Sequence, residues 1–105
     1  MEQANLSYIK ELAGDDKVFE QKFITILKEE FPQEVQIYKD HIEKDEPRSA
    51  AEIVHKLKHK FNILSMEASY KFAVDFEEEL RVGENKMHTD FNAILKYIQN
   101  YLNTI

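Results

Sequence analysis

The chain contains no cysteine, two glycines and two prolines, and no apolar run approaches the roughly 20 residues that a bilayer-spanning helix needs. Without cysteine there is neither a disulfide framework nor thiolate chemistry, which fits a reducing compartment, so a cytoplasmic location is expected. So few glycines and prolines leave little material for the tight turns of an all-β fold and favour helices. The start, Met1-Glu2-Gln3-Ala4-Asn5, lacks the basic and apolar parts of a signal peptide, so neither secretion nor membrane association is expected. Positive charge is also scarce: 14 Lys and Arg face 20 Asp and Glu, for a net charge of -6. Affinity for phosphate backbones needs a basic surface, so nucleic acid is not an expected partner. The sequence has no Gly-rich phosphate loop, dinucleotide fingerprint or Ser/His/Asp order, and an autonomous kinase or hydrolase is not expected.

What the chain does have is 43% apolar and 32% charged residues over a length of 105, the make-up of one globular domain spanning residues 1–105. Leu6, Ile9 and Leu12 or Ala13 form a short amphipathic turn or two closed by Gly14. Asp15 or Asp16 caps a second helix carrying Phe19, Phe23, Ile24, Leu27 and Phe31, until Pro32 forces a kink or a fresh start. Val35 to Ile42 continue that element to a polar loop at 43–46, after which Pro47 opens the next helix. That helix ends near Asn62 to Ser65. Another begins at Met66 or Glu67, buries Ala68, Phe72, Ala73, Phe76 and Leu80, and leaves at Gly83; the last, capped by Thr89, carries Phe91, Ile94, Leu95, Ile98 and Leu102. The expected architecture is all-α, an antiparallel four-helix bundle with a short extra N-terminal helix, and a monomer. At helical spacing the phenylalanines read as core rather than as a cofactor box or base-stacking platform.

One segment is chemically distinctive. In Ala51-Glu-Ile-Val-His55-Lys-Leu-Lys58-His59-Lys-Phe61, an angle of about 100° per residue gathers Ala50, Ile53, Val54, Leu57, Phe61 and Leu64 into one stripe. His55 points roughly 140° away from its centre. The same outer arc holds Arg48, Ala51, Glu52, Lys58, His59 and Asn62. If the helices on either side of Met66 form an antiparallel hairpin, residues equidistant from Met66 lie at equal height, which pairs His55 with Glu77. A carboxylate there can accept a hydrogen bond from one ring nitrogen, fix the tautomer, and leave the other nitrogen as a nucleophile facing solvent. Lys58, one turn on, can neutralise incoming phosphoryl oxygens as a point charge.

His55-Lys-Leu-Lys58 followed by a helical hairpin and Phe76-Glu77-Glu78-Glu79-Leu80 resembles the histidine phosphotransfer domain of two-component phosphorelays, whose hallmark is His-x-Leu-Lys-Gly in the second helix of a bundle. The resemblance covers most of the chain, from about Leu6 onward. It implies that His55 accepts a phosphoryl group from the aspartyl phosphate of a response-regulator receiver domain and passes it to another receiver, upstream of which stands a hybrid sensor histidine kinase. It maps the family lysine onto Lys58 and the polar residue of the facing helix onto Glu77. No resident cofactor is implied, since Mg²⁺ is expected on the partner receiver. The docking surface would include Ala51, His59, Asn62, Ile9 and Leu12. Two positions depart from the family pattern: the usual Gly is His59, and a second Gly common a few residues later is Ser65.

Two other functional readings follow from the same residues. A passive helical interaction domain would keep the bundle without phosphorylation, and a kinase-associated phosphoacceptor domain would take its phosphoryl group from a neighbouring ATP-binding domain. The spacing of His55 and His59 also matches a pair of metal ligands, but Lys56, Lys58 and Lys60 repel a cation and no third ligand is evident, so no metal is expected. His41, beside an apolar stripe, and His88, in an expected loop, read as structural.

Overall fold

Each helical segment of the sequence is helical in the computed structural model of the chain, which describes residues 2–105. The order is α1 (Ser7–Ala13), α2 (Lys17–Glu43), α3 (Pro47–Ile63), α4 (Glu67–Arg81) and α5 (His88–Leu102), and the described residues include no strand. Links at 44–46, 64–66 and 82–87 are too short for anything but reversal of direction, so the four long helices form an antiparallel bundle. α3 is central, packed between α2 and α4, with α5 closing the bundle against α4 and α2 and α1 resting on α2. α2, about 40 Å long at 1.5 Å per residue, accounts for most of the 45 Å long axis.

The core is built where the helical stripes meet. Phe91 of α5 lies at its middle, with ring centroids 5.1 Å from Tyr38, 5.7 Å from Phe61 and 4.9 Å from Phe76, so one aromatic cluster ties α2, α3, α4 and α5 together. Phe31, Leu57, Leu80, Ile98 and Leu102 complete it. Phe23 and Phe72 only border this core, and Ala68, expected in the buried stripe, is exposed in the first turn of α4, where Ser69 is buried instead.

The helix ends show how the chain turns with so little glycine. At the end of α3, Ser65 N–H donates to the Asn62 carbonyl and Met66 N–H to the Phe61 carbonyl, the paired bonds of a Schellman motif. The end of α2 repeats the pattern through Asp45 and Glu46, and the end of α4 through Gly83 and Glu84. The left-handed position is Asp45 (φ 55°), Ser65 (φ 64°) and Gly83 (φ 89°) in turn. α4 lacks a side-chain cap of its own. The Glu2 carboxylate supplies one from a distance, accepting from Ala68 N–H at 3.0 Å and Ser69 N–H at 2.6 Å. Asn5 N–H donates to the Leu64 carbonyl at 3.0 Å and Ala4 N–H to the Tyr97 hydroxyl at 2.9 Å. The N-terminal segment thus straps the α3–α4 turn.

Three local expectations are corrected. Pro32 does not start a new helix: α2 runs through it unbroken. Pro32 is on the solvent face, where the carbonyl it leaves unpaired can be hydrated, and the buried Leu27, Phe31 and Tyr38 on either side outweigh the lost bond. Thr89 is inside α5, whose N-cap is Met87 without a side-chain cap bond. His88 therefore is the first residue of a helix and not part of a loop.

Candidate functional site

The α3–α4 hairpin brings His55 and Glu77 together at the height that equidistance from Met66 predicts. The His55 side chain is half exposed (51%) and that of Glu77 almost buried (9%). His55 Nδ1 is 3.3 Å from both Glu77 oxygens, a long, shared hydrogen bond in which the ring N–H donates. That arrangement leaves the lone pair on Nε2, which bonds to no side chain or backbone group among the described residues. The neutral ring is therefore held in one tautomer, with its lone-pair nitrogen on a side chain that is half exposed.

Glu77 is the electrostatic centre of the site. Its Oε1 accepts from Lys58 Nζ at 2.8 Å and its Oε2 from Arg81 Nη2 at 2.7 Å. Burial alone would raise the Glu77 carboxyl, but the hydrogen bonds from Lys58 and Arg81, the Lys58 charge and the bond from His55 together hold it below the usual carboxylate range. Three donors thus converge on one carboxylate that stays ionised. Lys58 Nζ also lies over the Tyr70 ring, 5.9 Å from its centroid.

Two of the lysines near His55 are engaged within the fold. Lys58 is not free at the open face. Its side chain is only 11% exposed and its ammonium is committed to Glu77, because Lys58 is on the flank of α3 that turns toward α4. Nor do the three lysines form a basic patch. Lys60 turns the other way and pairs with Glu30 at 3.3 Å and Glu34 at 3.0 Å of α2, leaving Lys56 exposed.

The expected docking residues divide in two. His59, Asn62 and Leu12 are exposed. Ala51 and Ile9 are fully buried and cannot contact a partner. Ala51 is on the same flank as Lys58, and its lone methyl lets α4 approach closely enough to cover it; Ile9 is the one α1 residue that anchors that short helix to the core. Tyr8 and Leu12 of α1 remain open, joined by Val18, Phe19 and Ile26 of α2.

Sequence reasoning missed Arg81 and Tyr70. Arg81 had a signal, since Glu and Arg four residues apart on a helix form a side-chain pair. Tyr70 had a weaker one: by the same equidistance it stands level with Asn62, beside the end of the His55 face. The His59 ring meets His55 edge to face with centroids 5.0 Å apart, and Tyr70 at 6.5 Å. His41 pairs with Glu46 at 2.9 Å across the α2–α3 turn. No three His, Asp or Glu side chains among the described residues converge as metal ligands do, and no helix is long and apolar enough to cross a membrane. No family model, curated protein or solved structure matches the chain.

Proposed function

We propose that the chain is a cytoplasmic histidine phosphotransfer domain that carries a phosphoryl group on His55 between receiver domains of a phosphorelay. The observation that carries this reading is the half-exposed His55, with Nδ1 turned to a buried, ionised Glu77 and Nε2 bonded to no protein group among the described residues. In the step, the Nε2 lone pair attacks the phosphorus of an aspartyl phosphate in line, the P–N bond forms, and the P–O bond breaks with its electron pair returning to the departing carboxylate. No proton need leave. The ring keeps its Nδ1 hydrogen and gains a positive charge, which the Glu77 carboxylate stabilises at 3.3 Å. The reverse step returns the phosphoryl group to a second receiver by the same path, so concentrations and partners set the direction. Mg²⁺ and most of the stabilisation of the transferring group belong to the receiver. Tyr8, Leu12, Val18 and Phe19 are exposed and would offer apolar contact to a docking receiver.

The test is incubation with a radiolabelled phospho-receiver. Acid-labile, alkali-stable label on the wild type that disappears in His55→Gln supports the carrier. A folded wild type left unlabelled by several receivers refutes it and favours a passive interaction domain.

A further inference from the structure

Lys58 and Arg81 are both bound to Glu77 at 2.8 and 2.7 Å and Lys60 to Glu30 and Glu34, while the exposed Lys56 is about 100° round the helix from His55, in a groove with Ile37, His41 and Glu52. A phosphoryl group on Nε2 would bring about two negative charges to this face at neutral pH, and only a group that is still free can meet them. His59 is that group. It lies one turn beyond His55 on the same arc, is exposed, and stands edge to face with the His55 ring at 5.0 Å between centroids. Tyr70 at 6.5 Å backs it from α4, and neither ring nitrogen of His59 is bonded to a side chain among the described residues. A rotation about its side-chain torsions, cheap at an exposed position, turns a ring N–H onto oxygens carried by His55 Nε2.

Resting on the reading of His55 as phosphoacceptor, we propose that His59 is a phosphoryl-binding residue that takes over the charge-balancing role Lys58 has given to Glu77. A nearby dianion favours the charged imidazolium, and the imidazolium donates from both nitrogens. His59 therefore favours the loaded form of the carrier, beyond any effect it has on docking. A glycine at this position would bring a receiver closer but would offer the phosphoryl group nothing.

Phosphoramidate tests this without a docking surface, because it exchanges its phosphoryl group directly: the imidazole gains PO₃ and ammonia leaves. The equilibrium level of phosphohistidine is read by ³¹P NMR at a fixed ratio of phosphoramidate to ammonium, approached from both directions. The comparison covers wild type, His55→Gln, His59→Ala and His59→Lys, each checked for helix content. The expected result is an equilibrium constant lower by about 1.4- to fivefold in His59→Ala, the range an exposed ion pair supplies, with recovery in His59→Lys. Equal constants in the wild type and His59→Ala, or the same loss in His59→Lys, overturn the proposal. So does label found on His59 itself. A His55 that loads with phosphoramidate but accepts nothing from phospho-receivers defeats the relay reading, while the comparison among His59 variants still decides the role of that residue.

Discussion

Glu77 must satisfy three donors with two oxygens while almost buried, so its negative charge is the residue-level hinge of the site. Glu77→Gln keeps the shape and removes the charge. It leaves the nearly buried Lys58 ammonium without a counter-ion, and unfolding in urea is expected to show a loss of about 1–3 kcal/mol, the range for hydrogen bonds to charged groups. Loading of His55 is expected to fall as well, since the cationic phospho-imidazole loses its stabilising partner; a variant that loads as well as wild type would remove Glu77 from the chemistry. The pairing of His55 with Glu77 was legible from periodicity and hairpin register, which together fix angle and height. The fate of the Lys58 charge was not. Helical angles put Lys58 on the outer arc, and whether a long side chain continues to solvent or bends to a carboxylate depends on the neighbouring helix. Ala51 was misplaced because its burial, too, depends on the neighbouring helix, which covers it.

At the scale of the element, the turn at Ser65 and the passage through Pro32 each carry a measurable strain. Ser65 holds φ 64° in a Schellman motif where a glycine would be unstrained. Ser65→Gly is expected to stabilise the chain by about 0.5–1 kcal/mol, the left-handed penalty less the extra freedom of glycine in the unfolded state. Thermal unfolding reads this as a raised Tm. Pro32→Ala restores a backbone donor in the interior of α2 and is expected to stabilise by about 1–3 kcal/mol. A neutral or destabilising result would mean that the helix around residue 32 already accommodates the ring at no cost. Helix existence was readable because every long helix carries an apolar stripe and a stop signal. The continuity of α2 was not, since local propensity votes against Pro32 while the buried Phe31 and Tyr38 that override it belong to tertiary packing. The cap on α4 was equally hidden: Glu2 is 66 residues from Ala68 in sequence, and no local pattern connects them.

For the whole molecule, two depressed carboxylates link folding to pH. For Glu2, burial acts to raise the carboxyl, but the hydrogen bonds from the Ser69 and Ala68 N–H groups hold it lowered, as the cations around Glu77 do there. A carboxyl whose folded value lies below its unfolded one stabilises the fold above the ordinary carboxylate range, and that contribution is lost as pH falls through the lowered folded value. Stability is therefore expected to be flat near neutrality and to decline below about pH 5. The decline should be shallower in a Glu2→Gln, Glu77→Gln double variant, as measured by the urea midpoint against pH; an unchanged slope would show that these two groups do not link folding to protons. The same bundle that shields Glu77 holds His55 at its surface, so the stability of the hairpin and the readiness of the site have one cause.

The most direct test of the relay is a two-step transfer. The chain is loaded from a labelled phospho-receiver, separated from it, and mixed with a second, unlabelled receiver. Label is expected to leave His55 and appear on the second receiver as an alkali-labile acyl phosphate, with no transfer through His55→Gln. Label that never enters the wild type, or enters and cannot leave to any receiver, would contradict the relay.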